Sequence, residues 1–365
     1  MKAVFRCDAS IQIGTGHVMR CLTLADALRS EGVESHFICR EHAGHLLEVI
    51  RKRGHQAYSL PFKVDVEKSS KNCVKLSHAN WLGATQQEDA QQCIDIIKII
   101  QPDWLIVDHY AIDVSWEKTL RPYCKKIMVI DDLADRRHDC DILLDQNYGR
   151  DEKAYIGLIN KRCILLCGPK YSLLRPQFSE WREYSLRRRN NSHLEHVLIN
   201  LGGVDKDNVT TNIIRSLRHC SLSDNCKVTI VMGATAPWIE IVRTQAEALS
   251  WETQVKSGVN NMAELMANSD LAIGAAGSTI WERFCLGLPT ILIVIAENQE
   301  ANLSKVKPYH ISSFRKDDPD LRDALVETIN QITSNYTLLE SNTALIKNLV
   351  DGQGVIRISQ ILSKE

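Results

Sequence analysis

Short runs of apolar, largely β-branched residues alternate with stretches of helical period along this chain, and the pattern occurs twice. Residues 3–6 read as a strand, a glycine-containing loop runs on through Gly16, and Val18, Cys21, Leu22, Ala25 and Leu28 then share one helix face. Gly32 stands where a left-handed cap would end that helix. Residues 36–39 read as a second strand. Leu46, Leu47 and Ile50 begin another helix, closed by Gly54. Ala90, Cys93, Ile94, Ile97 and Ile100 form an amphipathic stripe that stops before Pro102. Further strands are expected at 104–107, 127–130, 142–144 and 164–166. Wholly apolar strands separated by helices predict a parallel sheet covered on both faces.

The segment after residue 178 changes character, with Arg187, Arg188 and Arg189 followed by Asn190, Asn191 and Ser192 and little apolar content. It reads as a linker, and the arginine run as a solvated charge cluster. The pattern then restarts: strands at 197–201, 228–232, 271–273 and 291–295, a tight Gly202-Gly203 loop, and a helix at 210–217. A length of 365 residues suits about two domains. The expected division is an amino-terminal α/β domain over 1–178, a linker over 179–193, a second α/β domain over 194–340 and a helical segment over 341–365. The fold class is α/β, with two doubly wound, Rossmann-like domains facing each other across a cleft. Ligands in such sheets sit at the carboxyl ends of the strands.

Charge narrows the partners. Lys plus Arg number 44 against 45 Asp plus Glu, a formal net charge of -1, so no global positive field attracts nucleic acid or anionic membrane. Only the Arg187–Arg189 run speaks for a nucleic-acid role. None of the 12 cysteines has the two-residue gap of a zinc or thioredoxin-type pair, and several, such as Cys163 and Cys167, sit in apolar runs where a thiol acts as a small hydrophobe. The first residues, MKAVFRCDAS, lack the apolar segment of a signal peptide, and the apolar run at 288–296 falls far short of a membrane span. A cytoplasmic protein with reduced thiols is expected.

Several motifs stand where chemistry belongs. Asp8-Ala9-Ser10 leads into Ile13-Gly14-Thr15-Gly16-His17-Val18-Met19-Arg20, a loop entering a helix. The two glycines permit close backbone approach, and His17 occupies the corner, where the helix start disfavours an imidazolium. Catalysis or simple capping both fit that position. The run Gly274-Ala275-Ala276-Gly277-Ser278-Thr279-Ile280-Trp281-Glu282 follows a strand and opens a helix. It suits a diphosphate with a ribose diol on Glu282, or else an ordinary N-cap with a first-turn acid. Gly202-Gly203, Asp108-His109-Tyr110 and Glu297-Asn298-Gln299 also follow strands. The pair Asp131-Asp132 has no His or Glu at ligand spacing, so no metal site is assigned.

Taken together, DASIQIGTGHVMRCLTLADAL, DWLIVDHYAID, VIDDLADRRHDCDILLDQN, NLGGVDKDN and AAGSTIWERFCLGLPTILIVIAENQ resemble the UDP-2,4-diacetamido-2,4,6-trideoxy-β-L-altropyranose hydrolases of pseudaminic acid biosynthesis. The likeness runs in chain order from residue 1 to about residue 305. The second-half block is similar to GT-B glycosyltransferases in general, and the GTGHVMRC block is the discriminating one. The resemblance implies a GT-B fold and hydrolysis of the sugar C1–O bond with inversion, within a pathway that serves flagellin glycosylation. It implies His17 as catalytic base, with Gly14, Gly16, Tyr110 and Asn298 on the sugar. UDP then falls to Gly202, Gly203, Gly277, Ser278, Thr279 and Glu282. No cofactor is implied, and the partner is the UDP-sugar alone. A GT-B glycosyltransferase is the alternative. Neither the oligomeric state nor a role for the last sixty residues follows.

Overall fold

The structure, a computed structural model, describes residues 1–62, 76–191, 193–234, 236–296 and 299–364. It divides into two compact units, Met1–Leu173 with Gly354–Glu365, and Leu174–Gln353.

The first unit carries strands β1 (Lys2–Cys7), β2 (Glu34–Arg40), β3 (Gln56–Leu60), β4 (Trp104–Asp108), β5 (Lys126–Ile130), β6 (Ile142–Asp145) and β7 (Ile164–Cys167). They pair in the order β3-β2-β1-β4-β5-β6-β7, every pair parallel. The sheet is apolar on both faces because successive residues serve different cores. Ala3, Phe5 and Cys7 join one cluster with Trp104 and Ile106, whereas Val4 joins the other with Leu105 and Val107. Burying each such large apolar side chain contributes about 1.5–3 kcal/mol. Helix α1 (Gly16–Ser30) covers one face. The short helix α2 (Leu47–Lys52) and the longer α3 (Gln86–Ile100) lie on opposite sides of the sheet. A Thr85–Glu88 capping box starts α3, and Gln101, left-handed at φ 53°, ends it before Pro102. The first face is completed from the far end of the chain, as described below.

In the second unit, β8 (His196–Asn200), β9 (Lys227–Met232), β10 (Glu252–Ser257), β11 (Leu271–Ala275), β12 (Thr290–Val294) and β13 (Ser312–Arg315) pair in parallel in the order β10-β9-β8-β11-β12-β13. Val197, Ile199, Ile230, Ile273 and Ile293 form the core with Ile213 and Ile214 of the helix Val209–Leu217, and with Leu325 and Ile329 of the helix Leu321–Ser334. In both sheets the order reverses beside the first strand, at β1/β4 and at β8/β11. Such reversals are where open α/β sheets bind ligands.

The segment expected as a linker over 179–193 differs from that expectation. Pro176–Arg188 is a helix of the second unit, its fixed φ supplied at the first position by Pro176. Ser185 Oγ donates to the Leu286 carbonyl at 2.6 Å. Nor is the arginine run uniformly solvated: Arg188 pairs with Asp270 at 2.6 Å, and buried Arg189 donates to the carbonyls of Met266, Ser269 and Leu286. These carbonyls end two helices, which explains why a cation is buried there. The unit boundaries therefore fall at 173/174 and 353/354. The final helix, Gly354–Lys364, returns to the first unit, inserting Val355, Ile358 and Leu362 into its core, and Trp104 Nε1 donates to the Leu362 carbonyl at 3.1 Å. No helix among the described residues is long and apolar enough to cross a membrane.

Candidate functional site

In the first unit, acids follow one another along the carboxyl ends of the central strands: Asp8 after β1, Asp108 closing β4, Asp131 and Asp132 after β5, and Asp145 closing β6. Four of the five are completely buried, so each needs compensation.

Asp108 stands at the sheet's reversal point and faces His17 and Arg20, three residues apart on α1. Its Oδ1 accepts the His17 Nδ1 proton at 2.6 Å and an Arg20 Nη2 proton at 2.6 Å, and its Oδ2 accepts from Arg20 Nε at 2.6 Å. Burial alone would raise this carboxyl; Arg20 and then His17 outweigh it and hold Asp108 well below the ordinary carboxylate range. An ionised Asp108 takes the proton on Nδ1, so the neutral ring presents Nε2 as an acceptor. Among the described residues no hydrogen-bond partner stands at that nitrogen, and the His17 side chain keeps a tenth of its surface exposed. The loop before it is closed by paired backbone bonds between Ser10 and Gly14, and Ser10 Oγ accepts from the amides of Gln12 and Ile13. Gly14 sits at φ 82° in open space, and Gly16 begins α1. The preceding Thr15 makes no side-chain cap, which leaves the first amides of the helix uncapped by it.

Arg20 reaches further. Its Nη1 donates to Asp132 Oδ2 at 2.5 Å, and the Tyr110 hydroxyl donates to the same oxygen at 2.9 Å. His17, Asp108, Arg20, Asp132 and Tyr110 thus form one continuous polar chain. Burial, then the Asp132 charge, pushes the Tyr110 phenol well up, so it serves as a neutral group. Aromatic rings enclose this chain: Tyr110 meets His17 edge-on at 4.7 Å, and Trp81 lies 6.3 Å from His17 and 5.8 Å from Tyr110.

The other acids take most of their hydrogen bonds from protein donors. Asp131 accepts from Arg136, from the amides of Leu133 and Ala134, and from Tyr155. Asp132 Oδ2 accepts from Arg20 and Tyr110, whereas its Oδ1 is buried without a hydrogen-bond partner among the described residues. Asp8 accepts from Arg6 and the Arg40 amide, and its Oδ2 lies 3.2 Å from His109 Nε2 and 3.7 Å from His42 Nε2. His109 Nδ1 accepts from the Ala111 amide, which places the ring proton on Nε2 and disfavours a metal there. No cluster of three ligating side chains able to hold a metal ion occurs among the described residues.

In the second unit, Gly202 follows β8 at φ 93° with open space where a side chain would be. The carbonyl of Gly203 lies 1.9 Å from where a Cβ on Gly233 would stand, so the turns after β8 and β9 are pressed together. From the end of β11, the segment 274–282 divides its glycines between two jobs. A Cβ on Gly274 would stand 2.1 Å from Arg283 Nη1, so this glycine makes room for a buried guanidinium, which donates to the Ala275 carbonyl at 2.6 Å. Gly277 is free of such crowding, with only Gln299 Nε2 at 3.5 Å. Ser278 precedes the helix Thr279–Cys285 without a side-chain cap, so the reading of Ser278 as an ordinary capping hydroxyl does not hold. Thr279 Oγ1 accepts from Arg283 at 3.3 Å, and the Glu282 carboxylate, a fifth exposed, lies 3.9 Å from Arg175. Burial raises the Glu282 carboxyl above its ordinary range against Arg175 and Arg283. Asn298 lies outside the described residues.

The structure therefore brings His17 and Tyr110 together, and places Gly277, Ser278, Thr279 and Glu282 in the loop and first turn of the helix Thr279–Cys285. The sequence reading assigned no role to four participants. Arg20 was detectable as the residue one helical turn from His17, and Asp108 and Asp132 as acids at strand ends. Trp81 carried no periodic signal.

Two parallel, doubly wound units of this order define the GT-B fold. The structure superposes on Acinetobacter baumannii MurG with a TM-score of 0.67 at 12% identity, covering 100% of this chain and 99% of that one. Residues 201–349 match the glycosyltransferase family 28 C-terminal domain. Across 302 residues the chain is 28% identical to the UDP-2,4-diacetamido-2,4,6-trideoxy-beta-L-altropyranose hydrolase of Campylobacter jejuni, spanning 82% of this chain and 94% of the relative. It is 25% identical over 371 residues to the uncharacterized protein MJ1062 of Methanocaldococcus jannaschii, covering 96% of this chain and 70% of that protein.

Proposed function

We propose that this protein is a nucleotide-sugar hydrolase that cleaves UDP-2,4-diacetamido-2,4,6-trideoxy-β-L-altropyranose to UDP and the free sugar. The observation that carries the reading is the His17 imidazole, held through Nδ1 by Asp108 at 2.6 Å, with Nε2 without a partner among the described residues. The similarity to the Campylobacter jejuni hydrolase supports the choice of substrate.

UDP is a good leaving group, so the reaction needs a base and a positioned water more than a strong acid. His17 Nε2 takes a proton from water as its oxygen bonds to the anomeric carbon. The C1–O bond breaks with inversion, and UDP departs with the electron pair. Asp108 balances the imidazolium that forms, and Arg20 fixes Asp108. Gly14 and Gly16 let the backbone approach the sugar, Tyr110 and Asn298 orient it, and Gly202, Gly203, Gly277, Ser278, Thr279 and Glu282 hold UDP. Donors at the diphosphate gain strength as charge develops there.

His17→Ala is expected to bind UDP as the wild type does while kcat falls by about 100- to 10,000-fold. Near-normal turnover in that variant removes His17 as base. In oxygen-18 water the label should enter the sugar; label in UDP means attack at phosphorus. The match of residues 201–349 to a glycosyltransferase domain favours a second reading, transfer of the sugar to an acceptor. If the UDP-sugar alone yields no free sugar and an added acceptor is glycosylated, that reading replaces the first.

A further inference from the structure

The Trp81 indole is left unused by the mechanism, yet it packs against the same polar chain. It lies in a single 3-10 turn, Ala79–Leu82, which Leu82 pins by inserting into the core. Gly83 closes the turn in the left-handed region at φ 66°, where a Cβ would strike the Phe62 ring at 2.8 Å. The neighbouring side chain, Trp81, is thereby held out of the core and remains half-buried. Tyr110 backs one indole face at 5.8 Å with 29° between planes, and His78 meets the ring at 4.5 Å and 68°. Among the described residues no acceptor stands at Trp81 Nε1, which leaves this half-buried donor available to a ligand. A partly open aromatic face beside a free N–H donor is complementary to one common group on sugars, the N-acyl amide. Its methyl and flat amide cover apolar ring surface, and its carbonyl accepts the N–H. The Tyr110 hydroxyl spends its proton on Asp132, so toward a ligand it offers an oxygen lone pair, which suits an amide N–H or a hydroxyl.

We propose that Trp81 reads an acetamido group of the sugar and so sets the enzyme's preference for N-acylated substrates. The inference deepens the hydrolase reading and rests on it for the substrate class. Its test is an equilibrium binding titration, which needs no turnover. UDP, the bis-acetamido UDP-sugar, and its two analogues bearing a free amine in place of one acetamido group are titrated against wild type, Trp81→Ala and Trp81→Phe, each on the His17→Ala background to prevent cleavage. One hydrogen bond plus ring contact corresponds to about tenfold or more in affinity. The bis-acetamido ligand should therefore bind about tenfold more tightly than one of the amine analogues, and Trp81→Ala should collapse that ratio to near unity. Affinity for UDP, which is assigned to the second unit, should stay unchanged, and an unaltered denaturant melt shows that the unit carrying Trp81 is folded. Trp81→Phe, with a ring but no N–H, should retain part of the ratio. An unchanged ratio in Trp81→Ala, no preference in the parent, or a parallel loss of UDP binding each overturns the proposal. Absence of hydrolysis by the enzyme with His17 intact, with the acetamido preference present and dependent on Trp81, overturns the hydrolase reading instead.

Discussion

Replacing Asp108 by Asn isolates what the buried carboxylate does for His17. The change is isosteric, so the cavity is kept, but the amide offers one acceptor oxygen where three hydrogen bonds from His17 and Arg20 now converge. If the amide oxygen turns to Arg20, its NH2 group faces His17 Nδ1 and donates to it. The ring proton then moves to Nε2, and the atom proposed to accept from water is blocked. The whole contribution of the base is at stake, about 100- to 10,000-fold in kcat. Arg20 keeps Asp132 at 2.5 Å, so the stability loss is confined to about 1–3 kcal/mol, the cost of one buried donor without its partner. The assay is UDP release from the bis-acetamido UDP-sugar under saturation, beside a denaturant melt and a UDP titration. A folded Asp108→Asn enzyme that binds UDP normally and keeps kcat within about threefold of wild type refutes the tautomer argument.

Two further outcomes concern stability. Gly274→Ala drives a methyl to 2.1 Å from Arg283 Nη1 and should cost about 1–3 kcal/mol, read as a lowered melting temperature; an unchanged melt means the guanidinium has somewhere else to go. Asp145 is raised from 3.8 to about 6 by burial and by the Asp132 charge, despite Arg150. Because the folded state holds this proton more tightly than the unfolded chain, its contribution is full below about pH 3.8 and lost as pH rises through about 6. It amounts to about 3 kcal/mol at most. Asp145→Asn should flatten that part of the stability profile between pH 4 and 7, and an unaltered slope in a pH series of denaturant melts disproves the assignment.

How much of this was legible depended on whether the signal was local. The central strands are apolar on both faces, and β1, β4, β8 and β11 stood out as runs. Of the four edge strands only β7, ILLC, did: β10, ETQVKS, is half exposed, and β3 and β13 are short and polar at several positions, so no apolar run marks them. Polar content also made 179–193 look like a linker, because Ser185 and Arg189 are buried by bonding carbonyls, which composition does not reveal. His17 and Tyr110 were visible as residues at a helix start and a strand end. That Asp108 and His17 meet across 91 positions was not, since only the parallel pairing of β1 with β4 brings them together. Gly274 and Gly277 look alike in the sequence, and only the position of Arg283 separates the one that makes room for a side chain from the one that leaves backbone open.

The return of the last helix to the first unit sets an order of events during synthesis. The ribosome finishes residues 1–173 long before it makes Val355, Ile358 and Leu362, so the half that carries His17 waits, with an apolar groove uncovered, while the intervening unit emerges and can fold first. A chain broken off after Gln353 would keep every residue proposed here for chemistry and still deprive the half that carries His17 of a layer of its core.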